Sequence, residues 1–156
     1  MRRKEFEVTE PEALRAILDE CKVCRVAVRD SEGMYIVPMN FGYQMKGQSL
    51  TLYFHSAKEG RKVDAFAKDG SVAFEMDCGH ELIAREKACA YSYAYKSIIG
   101  DGIISTVDDP EQKKETLSIL MRHQSGKEFT FTDEMASTVL VFKLESTHYT
   151  GKQIDD

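Results

Sequence analysis

No stretch of this chain stays apolar for anything near the roughly 20 residues that a bilayer-spanning helix needs, which excludes such a span. A surplus of positive charge is also missing. The 21 Lys and Arg stand against 26 Asp and Glu, for a net charge of −5. That is the wrong sign for non-specific nucleic-acid binding, although it leaves room for a local basic site that holds a small anion. Four cysteines in 156 residues are too few for a disulfide-dense secreted scaffold. The basic start, Arg2-Arg3-Lys4, has no apolar stretch behind it, so no signal peptide is expected and a cytoplasmic location follows by default. Linkers, low-complexity segments and internal repeats are absent, as are a serine nucleophile elbow, a P-loop and a Rossmann glycine set. What is present is 42% apolar and 30% charged residues. That composition, at this length, suits one globular domain, residues 1–156, with a core of its own.

The hydrophobic period shows how the chain is organised. Thr9 and Glu12 have the spacing of a capping box, with Pro11 in the first turn. Leu14, Ile17, Leu18 and Cys21 then form one helical stripe. From Val23 the period changes to two. Strands are expected near 25–29, over 34–44 and 50–55, from Val72 to Cys78, from Ala88 past Lys96 towards Val107, and around Leu140 to Leu144. A short helix is expected near Gly60 to Lys68, and a longer one after Asp108 or Asp109, with Pro110 at its start. Six strands, mostly in hairpin order, with three peripheral helices predict a mainly β fold, a closed or partly closed barrel. An open α+β sheet with helices on one face is the alternative.

Three stretches carry chemistry. His55-Ser56-Ala57-Lys58-Glu59-Gly60-Arg61-Lys62 lies where a strand runs into a helix. Free N–H groups at a helix start favour an anion, and Ser56, Arg61 and Lys62 would suit a phosphate. Arg-Lys pairs are also common on solvated surfaces, so these residues alone admit either reading. Ile36 to Tyr43 is apolar on both faces. One face would fill the core and the other would meet a flat ligand or a second subunit, unless the run is a central core strand; Pro38 argues against that, because it lacks the ladder N–H. Tyr91, Tyr93 and Tyr95 share one face of a strand, as in interfaces and pockets or in cross-strand aromatic pairs. Cys21-Lys22-Val23-Cys24 invites a zinc or dithiol reading. Cys78, His80, Cys89 or His55 would have to complete a zinc site at spacings that match no common module. A thioredoxin-like motif would have its helix after the cysteines rather than before them. A structural role is therefore expected, with no metal.

Taken in order, Val37-Pro38-Met39-Asn40-Phe41-Gly42-Tyr43, Leu52-Tyr53-Phe54-His55-Ser56-Ala57 with Gly60-Arg61-Lys62, and Tyr93-Ala94-Tyr95-Lys96-Ser97-Ile98-Ile99-Gly100-Asp101-Gly102 resemble the pyridoxamine 5′-phosphate oxidase-like, FMN-binding split-barrel superfamily. Within it the chain looks most like the nitroimidazole-resistance proteins. The resemblance implies a six-stranded split barrel and a homodimer with FMN at its interface. It implies that Arg61 and Lys62 hold the FMN phosphate with His55, Ser56 and Ala57, and that Pro38, Met39, Asn40 and Phe41 run along the flavin ring. Tyr93, Lys96 and Ser97 would approach from the other subunit. His55 occupies the position linked to substrate handling, and so is the expected catalytic residue, poised to give a proton to a small electron acceptor. Two further functions stay open, a non-catalytic flavin-binding or sensing dimer and a related barrel that binds haem or the deazaflavin F420. A true pyridoxamine phosphate oxidase would need a second basic cluster near the C-terminus, where Lys152 stands almost alone.

Overall fold

A computed structural model describes residues 3–155 of the chain. It begins with a 3-10 turn at Lys4–Phe6 and a two-residue strand, β1 (Glu7–Val8). Then come α1 (Pro11–Glu20), β2 (Val23–Asp30), β3 (Gly33–Asn40), β4 (Gly42–Lys46), β5 (Ser49–Ser56) and α2 (Arg61–Lys68). They are followed by β6 (Ser71–Ile83), a 3-10 turn at Ala88–Ala90, β7 (Ser92–Thr106), α3 (Pro110–Ser125), α4 (Asp133–Ser137) and β8 (Leu140–Ile154). All pairings are antiparallel, in the order β3-β2-β6-β7-β8-β5-β4, with β1 added beside β8.

The protein is the mainly β split barrel expected from the sequence, with eight strands in place of six. Part of the difference lies in the apolar run from Met34 to Gln44, which reads as one strand and is two. The chain leaves β3 at one edge of the sheet, turns at Phe41 and starts β4 at the other edge. No ladder joins these two edges among the described residues, so the barrel is split there. The Phe41 ring is fully buried, which pins the corner in the core. The remaining strand, β1, is too short to carry a sequence period.

Strand alternation sorts the two faces of the sheet. Cys24, Val26 and Val28 of β2 point inward, as do Phe54, Phe74, Met76, Ile98, Phe142 and Leu144 of the neighbouring strands, joined by Ile17 and Leu18 of α1. Each large side chain buried this way is worth about 1.5–3 kcal/mol. A smaller cluster of Val107, Leu117, Ala136 and Val141 seats α3 and α4. Gly42 sets how closely α3 can lie on β4, because a Cβ there would stand 2.6 Å from the Leu120 Cα.

Two local expectations fail. Thr9 does not cap α1: the N-cap is Glu10, without a side-chain bond, and the helix is held by its buried Leu14, Ile17 and Leu18. Ala88–Ala90 is a 3-10 turn, so Tyr91 precedes β7 rather than sharing a strand face with Tyr93 and Tyr95. Asp109 does cap α3, accepting a hydrogen bond from the Gln112 N–H.

Candidate functional site

The β3–β4 corner divides the expected ring-contacting residues between two faces. Met39 and Phe41 point into the core, so only their backbones are available to a ligand. Pro38 and Asn40 face outward, in line with Met34 and Ile36, which are 64% and 63% exposed. Cross-strand register sets Pro38 beside Arg25 and Ile36 beside Ala27, and Ala27 beside Ala73. The outer face of β3 is thus the edge of an exposed, partly apolar sheet surface.

The corner is held by a residue that the sequence pattern does not mark. Gln124, in the last turn of α3, donates from Nε2 to the Phe41 carbonyl at 2.8 Å and to the Lys22 carbonyl at 3.0 Å. Its Oε1 accepts from Asn40 Nδ2 at 3.2 Å. Beside it, His123 Nε2 bonds the Cys21 carbonyl at 2.8 Å, and its ring packs 4.7 Å from Phe41. Burial pushes the His123 imidazole below its ordinary value. No local motif announces a contact that spans more than eighty residues.

At the end of β5, His55 is exposed and its imidazole makes no hydrogen bond among the described residues. Ser56 is buried, and its hydroxyl donates to the Ala57 carbonyl at 2.7 Å. The next element, α2, starts at Arg61 behind Gly60 with no side-chain cap; the Val63 N–H meets the Gly60 carbonyl at 2.9 Å, which leaves the Arg61 and Lys62 N–H groups without an intrahelical acceptor. Arg61 is already engaged. It bonds both carboxylate oxygens of Asp30, at 2.6 and 3.1 Å, meets Glu32 at 3.2 Å and lies 4.4 Å over the Tyr35 ring. Its hydrogen bond holds Asp30 below the usual carboxylate range. Lys62, by contrast, is half-buried and makes no ion pair among the described residues. It is the cation at this helix start that is free to meet an anion.

The third group is dispersed. Tyr93 is 48% exposed on the β6–β7 hairpin, with its ring centroid 6.1 Å from that of His80. Lys96 bonds Glu20 at 2.7 Å. Ser97 is buried, level with Asp77 on one side and Lys152 on the other. Lys152 itself lies over the Tyr95 ring at 4.9 Å and bonds the tyrosine hydroxyl. Arg61 lines a hollow of about 370 Å³ with Asp30 and Glu32. Lys96 lines another of about 490 Å³ with Leu82 and Arg85. Pro38, Asn40 and His55 line neither.

A basic helix start suits an anion, an exposed apolar strand edge suits a flat ligand, and a solvent-facing imidazole lies at the end of β5. Comparison with known proteins bears on what surrounds that arrangement. The family model described as pyridoxamine 5′-phosphate oxidase matches residues 10–153. Among solved structures, a candidate 5-nitroimidazole antibiotic resistance protein from Bacteroides thetaiotaomicron is 30% identical with a TM-score of 0.79, over 96% of this chain and 90% of that one. An FAD and heme binding protein from Mycobacterium smegmatis is 17% identical with a TM-score of 0.79, over 96% of this chain and 74% of that one. A flavocytochrome from Azotobacter vinelandii is 17% identical with a TM-score of 0.78, over 100% and 75% of the two chains. At that identity the last two show the fold alone. No curated protein matches the chain. With the matched model covering nearly the whole domain, the chain belongs to the pyridoxamine 5′-phosphate oxidase family.

Proposed function

We propose that this chain binds FMN between two copies of itself and works as an oxidoreductase that passes electrons from a reduced nicotinamide to small acceptors such as nitroaromatic compounds. The observation that carries the reading is the exposed, apolar outer edge of β3 in a chain whose α2 start offers Lys62 and uncapped N–H groups. The residues fit the cofactor's chemistry. FMN presents a phosphate and a flat, largely apolar ring, and the described residues offer an anion site and an apolar edge for each. Bound flavin would supply the electron transfer itself.

The chain's own residues would do the rest. Lys62 and the first N–H groups of α2 would hold the phosphate, and Arg61 would join them by sharing its contact with Asp30. Backbone groups at Met39 and Phe41 and the outer sides of Pro38 and Asn40 would lie along the ring, with Gln124 keeping the corner fixed. Met34 and Ile36 would be covered by the second copy, whose Tyr93, Lys96 and Ser97 region would close the site. The solvent-facing His55 would hold the proton given to the acceptor. The Bacteroides relative, named for nitroimidazole resistance, supports this acceptor class.

The test is an absorption spectrum of the purified protein, with any cofactor released by heat and weighed. A flavin spectrum with an FMN mass is the expected result. A colourless protein that also fails to take up added FMN would overturn the reading, and a Soret band would replace FMN with haem. With FMN in place, His55→Ala should keep the flavin and slow steady-state reduction of a nitroaromatic acceptor by about 10²-fold, the low end for a general acid. Unchanged turnover would remove His55 from the chemistry.

A further inference from the structure

The Cys21-Lys22-Val23-Cys24 motif is taken apart by the fold. Cys24 points from β2 into the core and is fully buried. Cys21 ends α1 as its C-cap and is 1% exposed. The thiol that bears on it is Cys78 of β6, whose neighbourhood raises the Cys21 thiol further and is itself affected by it.

The Glu20 carboxylate brings these elements together. Glu20, next to Cys21, accepts a hydrogen bond from Lys96 at 2.7 Å, and Lys96 is the cross-strand partner of Cys78. Glu20 also lies on Gly79, where a Cβ would stand 3.3 Å from its carboxylate. Gly79 has φ of +66° and begins the irregular stretch in which the β6–β7 ladder shifts register, between Cys78 and Glu81. Beyond it the hairpin carries Leu82 and Tyr93, 60% and 48% exposed.

We propose that Cys21 and Cys78 form a reversible disulfide that fastens the end of α1 to the base of the β6–β7 hairpin. Hydrogen peroxide is the oxidant class that fits, because only Cys78 needs to be reached from solvent and it is half-buried where Cys21 is closed. The Cys78 thiolate attacks one peroxide oxygen, the O–O bond breaks and hydroxide leaves, giving a sulfenic acid. The Cys21 sulfur then attacks the Cys78 sulfur, the S–O bond breaks and water departs with the Cys21 proton. The two thiols lose two electrons and the peroxide becomes two waters. Burial raises both thiols, and on Cys78 the Glu20 carboxylate adds to the rise while Cys21 and the Lys96 ammonium oppose it. The bond therefore forms slowly, under sustained peroxide, and an added dithiol reverses it.

The full chain is treated with peroxide at neutral pH, its remaining thiols are alkylated, and its peptides are mapped without reduction. The expected product is one Cys21–Cys78 link, reversed by dithiothreitol, with a thermal midpoint raised by about 10 °C. Cys78→Ser, at a half-buried position, should show neither the link nor the rise. A link to Cys24 or Cys89, a link between chains, or four cysteines still free or oxidised only to sulfinic acid would overturn the proposal. None of these outcomes depends on flavin.

Discussion

The two faces of β3 carry similar residues in different surroundings. Val37 and Met39 on the inner face are 9% and 7% exposed, while Met34 and Ile36 on the outer face are 64% and 63% exposed. The inner pair is explained within one copy of the chain: it fills the barrel with Phe54 and Phe142. The outer pair has no such explanation, because an exposed apolar row gains nothing until another surface removes it from water. The same strand thus packs on one side and, on the proposed reading, meets a second copy on the other. An apolar run in sequence does not say which side is which.

Substitutions can break or sharpen that contrast. The largest effect is expected at the inward corner, where Phe41→Ala should cost about 3–5 kcal/mol of folding free energy by denaturant unfolding. A cost below about 1 kcal/mol would mean that the corner is not pinned. Next comes Gly42→Ala, whose new methyl meets the α3 backbone; about 1–3 kcal/mol of overpacking is expected in the same assay. On the outer face, Ile36→Asp should leave stability of the separated chain within about 0.5 kcal/mol. On the proposed reading, sedimentation should nonetheless show a dimer dissociating, with loss of bound FMN. A dimer that survives this charge would place the interface elsewhere.

The smallest effect is one of pH. Burial lowers the His123 pKa from 6.5 in the folded chain. Between that lowered value and 6.5 the unfolded chain binds more protons than the folded one, so stability rises with pH through this window and is lost as pH falls through it. His123→Gln should flatten the slope of the urea midpoint against pH in the range just below pH 6.5. An unchanged slope would assign it to other groups.

Much of the fold was legible because period-two alternation and turn residues act locally. The strands near 25–29 and 50–55, the helix at Arg61–Lys68 and the Asp109 cap all follow from neighbours within a few positions. The break at Phe41 was not legible, because it depends on which sheet edges the two halves of one apolar run join. The Thr9 capping box had the right spacing and lost to the backbone path into Pro11. In the candidate site, residue types at the α2 start pointed to an anion, but they did not show that Asp30 and Glu32 already engage Arg61 and leave Lys62 free. Gln124 carried no sequence signal, and Cys78 stood beside the Cys21–Cys24 motif only as one candidate zinc ligand among several, because their placement arises from tertiary approach.

One feature of the topology bears on how the chain is made. β8 lies between β5 and β7 and pairs with both, yet it is the last strand in the sequence. A ribosome emits Ser49–Ser56 and Ser92–Thr106 long before the strand that will bridge them. Until Leu140 and its successors emerge, the nascent chain holds two strand edges open, each able to pair with a neighbouring chain. The strand that closes the sheet therefore emerges after both of the strands it joins, and the longer that interval, the longer two open edges stand exposed to mispairing.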